Sequence, residues 1–202
     1  MTADARELLL GVAAETCAEF GWRDSTIDRL CERAGVSNRD FYATFDTMDD
    51  LFLEMYERHA AQMLRVTDQV LAEIATATPH VLDPADAVDA IATAVGRTSG
   101  DRTWWILTTE YMLRAVRHPE IAERYRSVRQ RTTRHLVDTV REALDATGPA
   151  GRRVDVEQLV ELTMALHRGS LAPSFLEPGA MAPETMDRLV WPAILSAVSR
   201  PT

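Results

Sequence analysis

Residues 21–51 read GWRDSTIDRLCERAGVSNRDFYATFDTMDDL, from Gly21 to Leu51, and this stretch decides the fold. Two short helices, over 26–33 and 38–44, are joined through Ala34-Gly35-Val36-Ser37. Glycine at 35 permits the left-handed backbone that ends one helix and turns the chain sharply. Ser37 and Asp40 have the spacing of a capping box, and Val36 and Phe41 stand at the two positions of a hydrophobic staple. Ser25 and Asp28 repeat the box at the start of the first helix. A rigidly turned pair of short helices is a helix-turn-helix, whose second helix fits the DNA major groove.

Outward from that stretch the chain reads as all-α. Ala, Leu, Glu and Arg dominate its 202 residues, and alternation rich in β-branched residues is nearly absent. The first 78 residues hold no proline, and the nine later prolines fall mostly between periodic segments. The pattern predicts about nine helices, over 4–20, 26–33, 38–44, 48–76, 84–97, 102–117, 119–146, 155–172 and 184–199. Asp83 before Pro84 is an N-cap with a first-turn proline, and Gly21 and Gly148 stand where helices should end. Ile121, Tyr125, Val128, Leu136, Val140 and Leu144 form one apolar stripe. Segments 147–154 and 173–183 read as turns, and Pro192 should kink the last helix.

With these motifs the sequence resembles the tetracycline-repressor-like (TetR) family of transcriptional regulators. The resemblance runs over about residues 6–55, through Leu9-Leu10, Ala13, Gly21-Trp22, Ser25-Thr26-Ile27, Ala34-Gly35-Val36-Ser37, Phe41-Tyr42, Phe45 and Leu51. The stretch from Thr109-Glu110-Tyr111 to His118-Pro119-Glu120 is similar to a segment common in the family's C-terminal domains. The resemblance implies a helix-turn-helix domain over 1–50, and a helical effector-binding and dimerisation domain over 51–202. It implies phosphate contacts for Thr26 and Tyr42, with Ser25 in the same motif. It places Ser37, Asn38, Arg39 and Thr44 on or beside the groove-facing helix. The chemistry suits these roles: arginine pairs with guanine, asparagine with adenine, and hydroxyls with phosphate oxygens.

Charge pulls the other way. The chain carries 22 basic residues, all arginine, against 31 acids, a formal net charge of −9. Residues 1–50 hold five arginines and eleven acids, so −6 of it lies in the domain expected to meet DNA. Nucleic-acid affinity draws on cations that displace counterions from phosphate. Where the family usually has a lysine, at the start of the fourth helix, this chain has Met48 among Asp46, Asp49 and Asp50. A ligand- or partner-binding protein that has lost DNA binding is therefore the alternative reading.

In the C-terminal part Trp104, Trp105, Thr108, Tyr111 and Met112 follow one another at helical spacings. With Met164, His167 and Phe175 they are the candidates for contact with a small, largely apolar effector. The same residues at the same spacing would also serve as plain core. Seven arginines between 114 and 134 read as the solvated face of a helix. The last two helices carry apolar stripes suited to a homodimer interface, which would place two recognition helices on a palindromic operator in double-stranded DNA.

Enzymatic, cofactor and metal roles find no footing. Without lysine there is neither a phosphate-loop site nor Schiff-base chemistry, and no dinucleotide or nucleophile-elbow fingerprint occurs. The five histidines are never three to five residues apart, so no cofactor and no metal is expected. Cys17 and Cys31 are too few for a disulfide framework and read as small hydrophobes, a redox pair being the alternative. No signal or membrane segment is visible, and a cytoplasmic location is expected. The reading is a ligand-responsive, sequence-specific transcriptional regulator, a repressor in its simplest form.

Overall fold

The computed structural model describes residues 2–77, 101–145, 154–177, 179 and 181–199. Its eight helices among these residues are α1 (Thr2–Asp24), α2 (Ile27–Ala34), α3 (Asn38–Tyr42), α4 (Met48–Ala77), α5 (Arg102–Arg117), α6 (Pro119–Asp145), α7 (Val156–Leu176) and α8 (Pro183–Val198). The expected helix 84–97, its Asp83-Pro84 cap, Gly148 and nearly all of the turn 147–154 lie outside the described residues. Among the described residues no strand forms, only an isolated bridge between Val154 and Ser199. No described helix is long and apolar enough to cross a membrane.

The chain divides into two compact units. The first takes the described residues of Met1–Ala60 and Asp101–Arg129, and the second those of Ala61–Gly100 and Gln130–Thr202. In the first, α1 packs on α2, α3 and α5. Its core gathers Leu9, Ala13 and Cys17 of α1, Leu30 and Cys31 of α2, Phe41, Phe45, and Leu51, Phe52 and Tyr56 of α4 with Leu107, Tyr111, Tyr125 and Val128. In the second unit α7 packs on α8, around Leu136, Val140, Leu144, Leu159, Val160 and Trp191. All six residues of the stripe on α6 are buried, three in each core.

The decisive turn forms as its sequence requires. Gly35 takes φ 67°, ψ 30°, and the amides of Gly35 and Val36 donate to the carbonyls of Glu32 and Cys31, at 3.3 and 3.0 Å. That pattern is a Schellman motif. At the start of α3 the Ser37 oxygen accepts from the Asp40 amide at 3.2 Å, while Asp40 accepts from the Ser37 amide at 3.1 Å. Val36 packs against the core that buries Phe41.

Three local expectations need correction. The box at the start of α2 does not form between Ser25 and Asp28. The helix begins one residue later, so Thr26 is the N-cap, accepting from the Arg29 amide at 3.3 Å. With arginine at the third helical position, no carboxylate is there to reciprocate. The supposed turn 173–183 begins as helix, because α7 continues through Pro173 to Leu176. Hydroxyls of Ser170 and Ser174 donate to the carbonyls of His167 and Leu171 around that proline, and the Glu177 amide closes on the Pro173 carbonyl. Helix α1 likewise resumes beyond Gly21, which is itself non-helical at φ 76°, ψ 160°. Pro192 lies inside α8, whose helix runs from Pro183 to Val198.

Two glycines give a matched test. A side chain at Gly35 would have open space but a left-handed backbone, so Gly35→Ala should lower the unfolding free energy by about 1–2 kcal/mol. Gly11 is helical with nothing within 4 Å of an added Cβ, so Gly11→Ala should raise it by roughly 0.5–1 kcal/mol. Chemical denaturation of the two variants measures both signs.

Candidate nucleic-acid interface

The surface that can meet a duplex is built by α2, its turn and α3. Ser37, Asn38, Arg39 and Tyr42 are exposed, Tyr42 at 59%, while Phe41 between them is fully buried. A five-residue helix can hold this split only because its buried ring and its capping box fix its roll and its approach angle. Phe41 also meets Tyr42 edge to face, with ring centroids 5.5 Å apart. Exposed Thr26 uses its oxygen to accept from Arg29, which leaves its proton as a donor for a phosphate.

Other expected contacts are already engaged. Ser25 is buried, and its hydroxyl donates to the Gly21 carbonyl at 2.8 Å, so it ties the end of α1 to the turn before α2. Half-buried Thr44 donates to the Asp40 carbonyl at 2.8 Å. The Asn38 amide donates to the Asp28 carboxylate, so reading a base requires it to exchange that partner.

Arginines are spent unevenly. Arg33 pairs with Glu19 at 2.5 Å, Arg6 pairs with Glu54, and Arg29 stacks over the Phe20 ring at 3.9 Å. Among the described residues 1–50, Arg23 and Arg39 alone of the arginines enter neither an ion pair nor a ring contact. Arg39 thus stands on the candidate reading helix with its guanidinium uncommitted. The family resemblance nominated it; only the structure shows its neighbours occupied elsewhere.

Behind this surface lies a contact that the sequence did not reveal. The Glu110 carboxylate of α5 accepts the Trp22 amide at 2.6 Å, beside the left-handed Gly21. A Cβ at residue 21 would lie 3.4 Å from that carboxylate. The Trp22 ring meets Tyr111 and Phe52 edge to face, and Phe52 stacks on Tyr111 with centroids 3.6 Å apart. Cys17 and Cys31 are buried here as free thiols, and burial pushes Cys17 up to about 11, so it stays protonated and inert.

The candidate effector residues fall in both units. On α5 of the first, Trp104, Trp105 and Thr108 are half-buried, Tyr111 is core, and Met112 faces outward at 37% exposure. Tyr111 and Met112 differ so sharply because successive helical residues point about 100° apart. Thr108 donates back to the Trp104 carbonyl at 2.7 Å. In the second unit, α7 carries half-buried Met164 and Phe175 and buried His167. Sequence reasoning missed His59, which stacks on Trp104 with centroids 3.8 Å apart. No motif marks a histidine on α4 as the partner of a tryptophan 45 residues on.

Burial lowers the His59 imidazole to about 4, against the weaker upward pull of Asp101, so it is neutral when folded at pH 7. Unfolded, it titrates near its ordinary 6.5. Below that value the unfolded chain binds the extra proton, so His59's contribution to stability is present above pH 6.5 and fades as pH falls toward 4. His59→Phe, which keeps the stack, should flatten part of the fall in urea midpoint between those two pH values.

Residues 9–55 match the bacterial regulatory proteins of the tetR family, and residues 84–195 match the C-terminal region of BetI-type transcriptional repressors. No curated protein sequence matches the chain. The fold is similar to that of a TetR transcription regulator from Haloarcula marismortui ATCC 43049, at 14% identity, over 98% of this chain and 100% of that one, with a TM-score of 0.73. It is similar to FadR from Bacillus subtilis, solved with stearoyl-CoA, at 14% identity over 95% and 98% of the two chains, with a TM-score of 0.67. Salmonella enterica GusR shares 22% identity over 95% of each chain, with a TM-score of 0.65. A helix-turn-helix with its reading face exposed, followed by a repressor-type C-terminal region over more than half the chain, makes this protein a member of the tetR family of DNA-binding transcriptional regulators.

Proposed function

We propose that the protein acts as a homodimeric repressor, whose two α3 helices read the half-sites of a palindromic operator and leave it when a small, largely apolar effector binds. The observation that carries this reading is Arg39, exposed and unpaired on a helix whose roll is fixed by Phe41 and the Ser37–Asp40 box. In this reading Arg39 pairs with guanine, Asn38 turns from Asp28 to a base, and Ser37 and Thr44 lie at the groove edge. Thr26 and Tyr42 hold phosphates, and buried Ser25 positions Thr26 without touching DNA.

The proposed dimer forms through α7 and α8. Leu162, Ala165, Gly169 and Leu176 are exposed along α7, and Leu189, Ala193 and Ala197 along α8. Leucines exposed at 44%, 73% and 65% (Leu162, Leu176 and Leu189) mark faces that a two-fold contact would cover. The proposed effector contacts are Trp104, Trp105 and Thr108 with His59 beside them, and Met164, His167 and Phe175 on α7. A FadR of this fold was solved with stearoyl-CoA, which supports a mostly apolar effector here.

Selection of the purified protein against random duplex DNA at low salt tests the reading, and an enriched palindrome is the expected result. Arg39→Ala should cost about 1–3 kcal/mol and relax preference at one position of each half-site. Tyr42→Phe should weaken all sites alike, with base preference unchanged. A folded protein that enriches no sequence would favour the ligand-binding alternative. Leu189→Arg should shift the sedimentation profile toward monomer and lower operator affinity with it; an unchanged dimer would place the interface elsewhere.

A further inference from the structure

The compact unit that carries the reading helix holds twelve arginines against seventeen acids, a net charge of −5. Such a charge opposes approach to a polyanion unless the carboxylates nearest the contact are cancelled. Asp28 and Asp40 are already bonded by Asn38 and Ser37; Asp49 and Asp50 are the two that arginines from other helices reach. They lie in the first turn of α4, which opens at Met48, six residues after exposed Tyr42. Neither is left alone. The Arg114 guanidinium of α5 grips Asp49 with two parallel bonds, Nε to Oδ1 at 3.2 Å and Nη2 to Oδ2 at 3.1 Å. Arg124 of α6 pairs with Asp50, whose carboxylate also accepts from the Thr47 hydroxyl at 2.6 Å.

We infer that Arg114 and Arg124 are positioning residues for DNA binding: they touch no DNA, but cancel Asp49 and Asp50 beside the reading helix and so make an acidic domain competent to approach phosphate. The inference rests on the DNA-binding reading above. Three features support this role over a purely structural one. In the Arg124–Asp50 pair the arginine is half exposed, and a pair so open to water contributes little to folding. The two acids are consecutive in the first turn of α4, seven and eight residues beyond Tyr42, the last residue of α3, so their charges fall together on the segment that follows the reading helix. Finally, both arginines come from helices distant in sequence, 65 and 74 residues on. The domain therefore borrows its neutralising charge from α5 and α6, and residues 1–50 alone give a misleading account of its field.

The pairs predict signs that a packing role does not. In the full-length protein, Arg114→Gln and Arg124→Gln should each weaken operator binding about fivefold at low salt. The loss should shrink toward nothing as salt screens the exposed carboxylates. Asp49→Asn in the Arg114→Gln protein, and Asp50→Asn in the Arg124→Gln protein, should restore affinity. Either asparagine alone should raise affinity above wild type, because an arginine is then left uncovered. Binding is measured by fluorescence anisotropy on the selected duplex at several salt concentrations, with circular dichroism confirming that each variant is folded. Unchanged affinity in both glutamine variants would overturn the inference while leaving the regulator reading intact. So would a loss that persists at high salt or is not relieved by the asparagine partner. A wild-type protein that binds no duplex would overturn both.

Discussion

The contact on which the first unit depends is the one between the Trp22 amide and the Glu110 carboxylate, set beside the Trp22, Phe52 and Tyr111 rings. Gly21 breaks the helical hydrogen-bond pattern within α1, which would leave the Trp22 amide without an acceptor inside a half-buried turn. A carboxylate from α5 supplies one, and a charged acceptor makes a stronger bond than a neutral one. The rings then close over it. Each edge-to-face or offset pair adds roughly 0.5–1.5 kcal/mol beyond burial itself. Tyr111 gives some of that back, because its buried hydroxyl lies near Asp49 without a hydrogen bond of normal geometry. Burial first and Asp49 second push the phenol's pKa well above its usual value, so it stays neutral. The helix-turn-helix is thus not a free-standing module: its core is completed by Leu107 and Tyr111 of α5 and Tyr125 of α6.

Electrostatics follows the same division. Read as residues 1–50, the DNA-facing part looks hostile to a duplex at −6. In the folded unit several of its carboxylates have partners: Glu19 and Glu7 pair with Arg33 and Arg58, Asp28 accepts from Asn38, and Asp40 accepts from the Ser37 hydroxyl and amide. The hydrogen bonds from Ser37 hold Asp40 below its ordinary value, and it stays charged while serving the cap. Arg39 is left over. An exposed arginine that makes no ion pair, with Asp40 the carboxylate that feels its charge, is a local cation whose sign does not follow the total, and local potential governs docking at a Debye length of about 10 Å.

The legible parts of the sequence were those in which cause and effect are close along the chain. Gly35, Ser37–Asp40 and Val36 with Phe41 act within five residues, so turn and cap chemistry could be read directly. The stripe on α6 needed only a period of 3.6. Misreadings came where two local rules compete. Ser25 and Thr26 are both good caps, and only the choice of which side chain to bury separates them. Pro173 marks a helix end in isolation, yet neighbouring hydroxyls let the helix run on. What could not be read were pairings across 45 to 88 residues: His59 with Trp104, Asp49 with Arg114, Asp50 with Arg124, and Trp22 with Glu110. Spacing in a single chain carries no signal for these, because tertiary packing alone decides which helix faces meet.

Three of these four long-range pairings share one element. Helix α5 carries Trp104 near its start, stacked on His59, and Glu110 and Arg114 further along, bonded to Trp22 and Asp49. At 1.5 Å per residue, Trp104 and Arg114 are about 15 Å apart on one stiff rod. A helix of this length transmits displacement better than it absorbs it, so a shift at the tryptophan end must be met either at the Glu110 and Arg114 contacts or by strain in α5. Those contacts hold the end of α1, which packs on α2 and α3, and the start of α4, whose Leu51 and Phe52 share a core with Leu30 and Phe41. In the proposed switch, a ligand with equal affinity for the DNA-binding and released states would change nothing, however tightly it bound. For the effector proposed above, the physical requirement would therefore be differential contact with Trp104 and His59, and the contacts at the other end of the helix would set how much of that difference reaches α2 and α3.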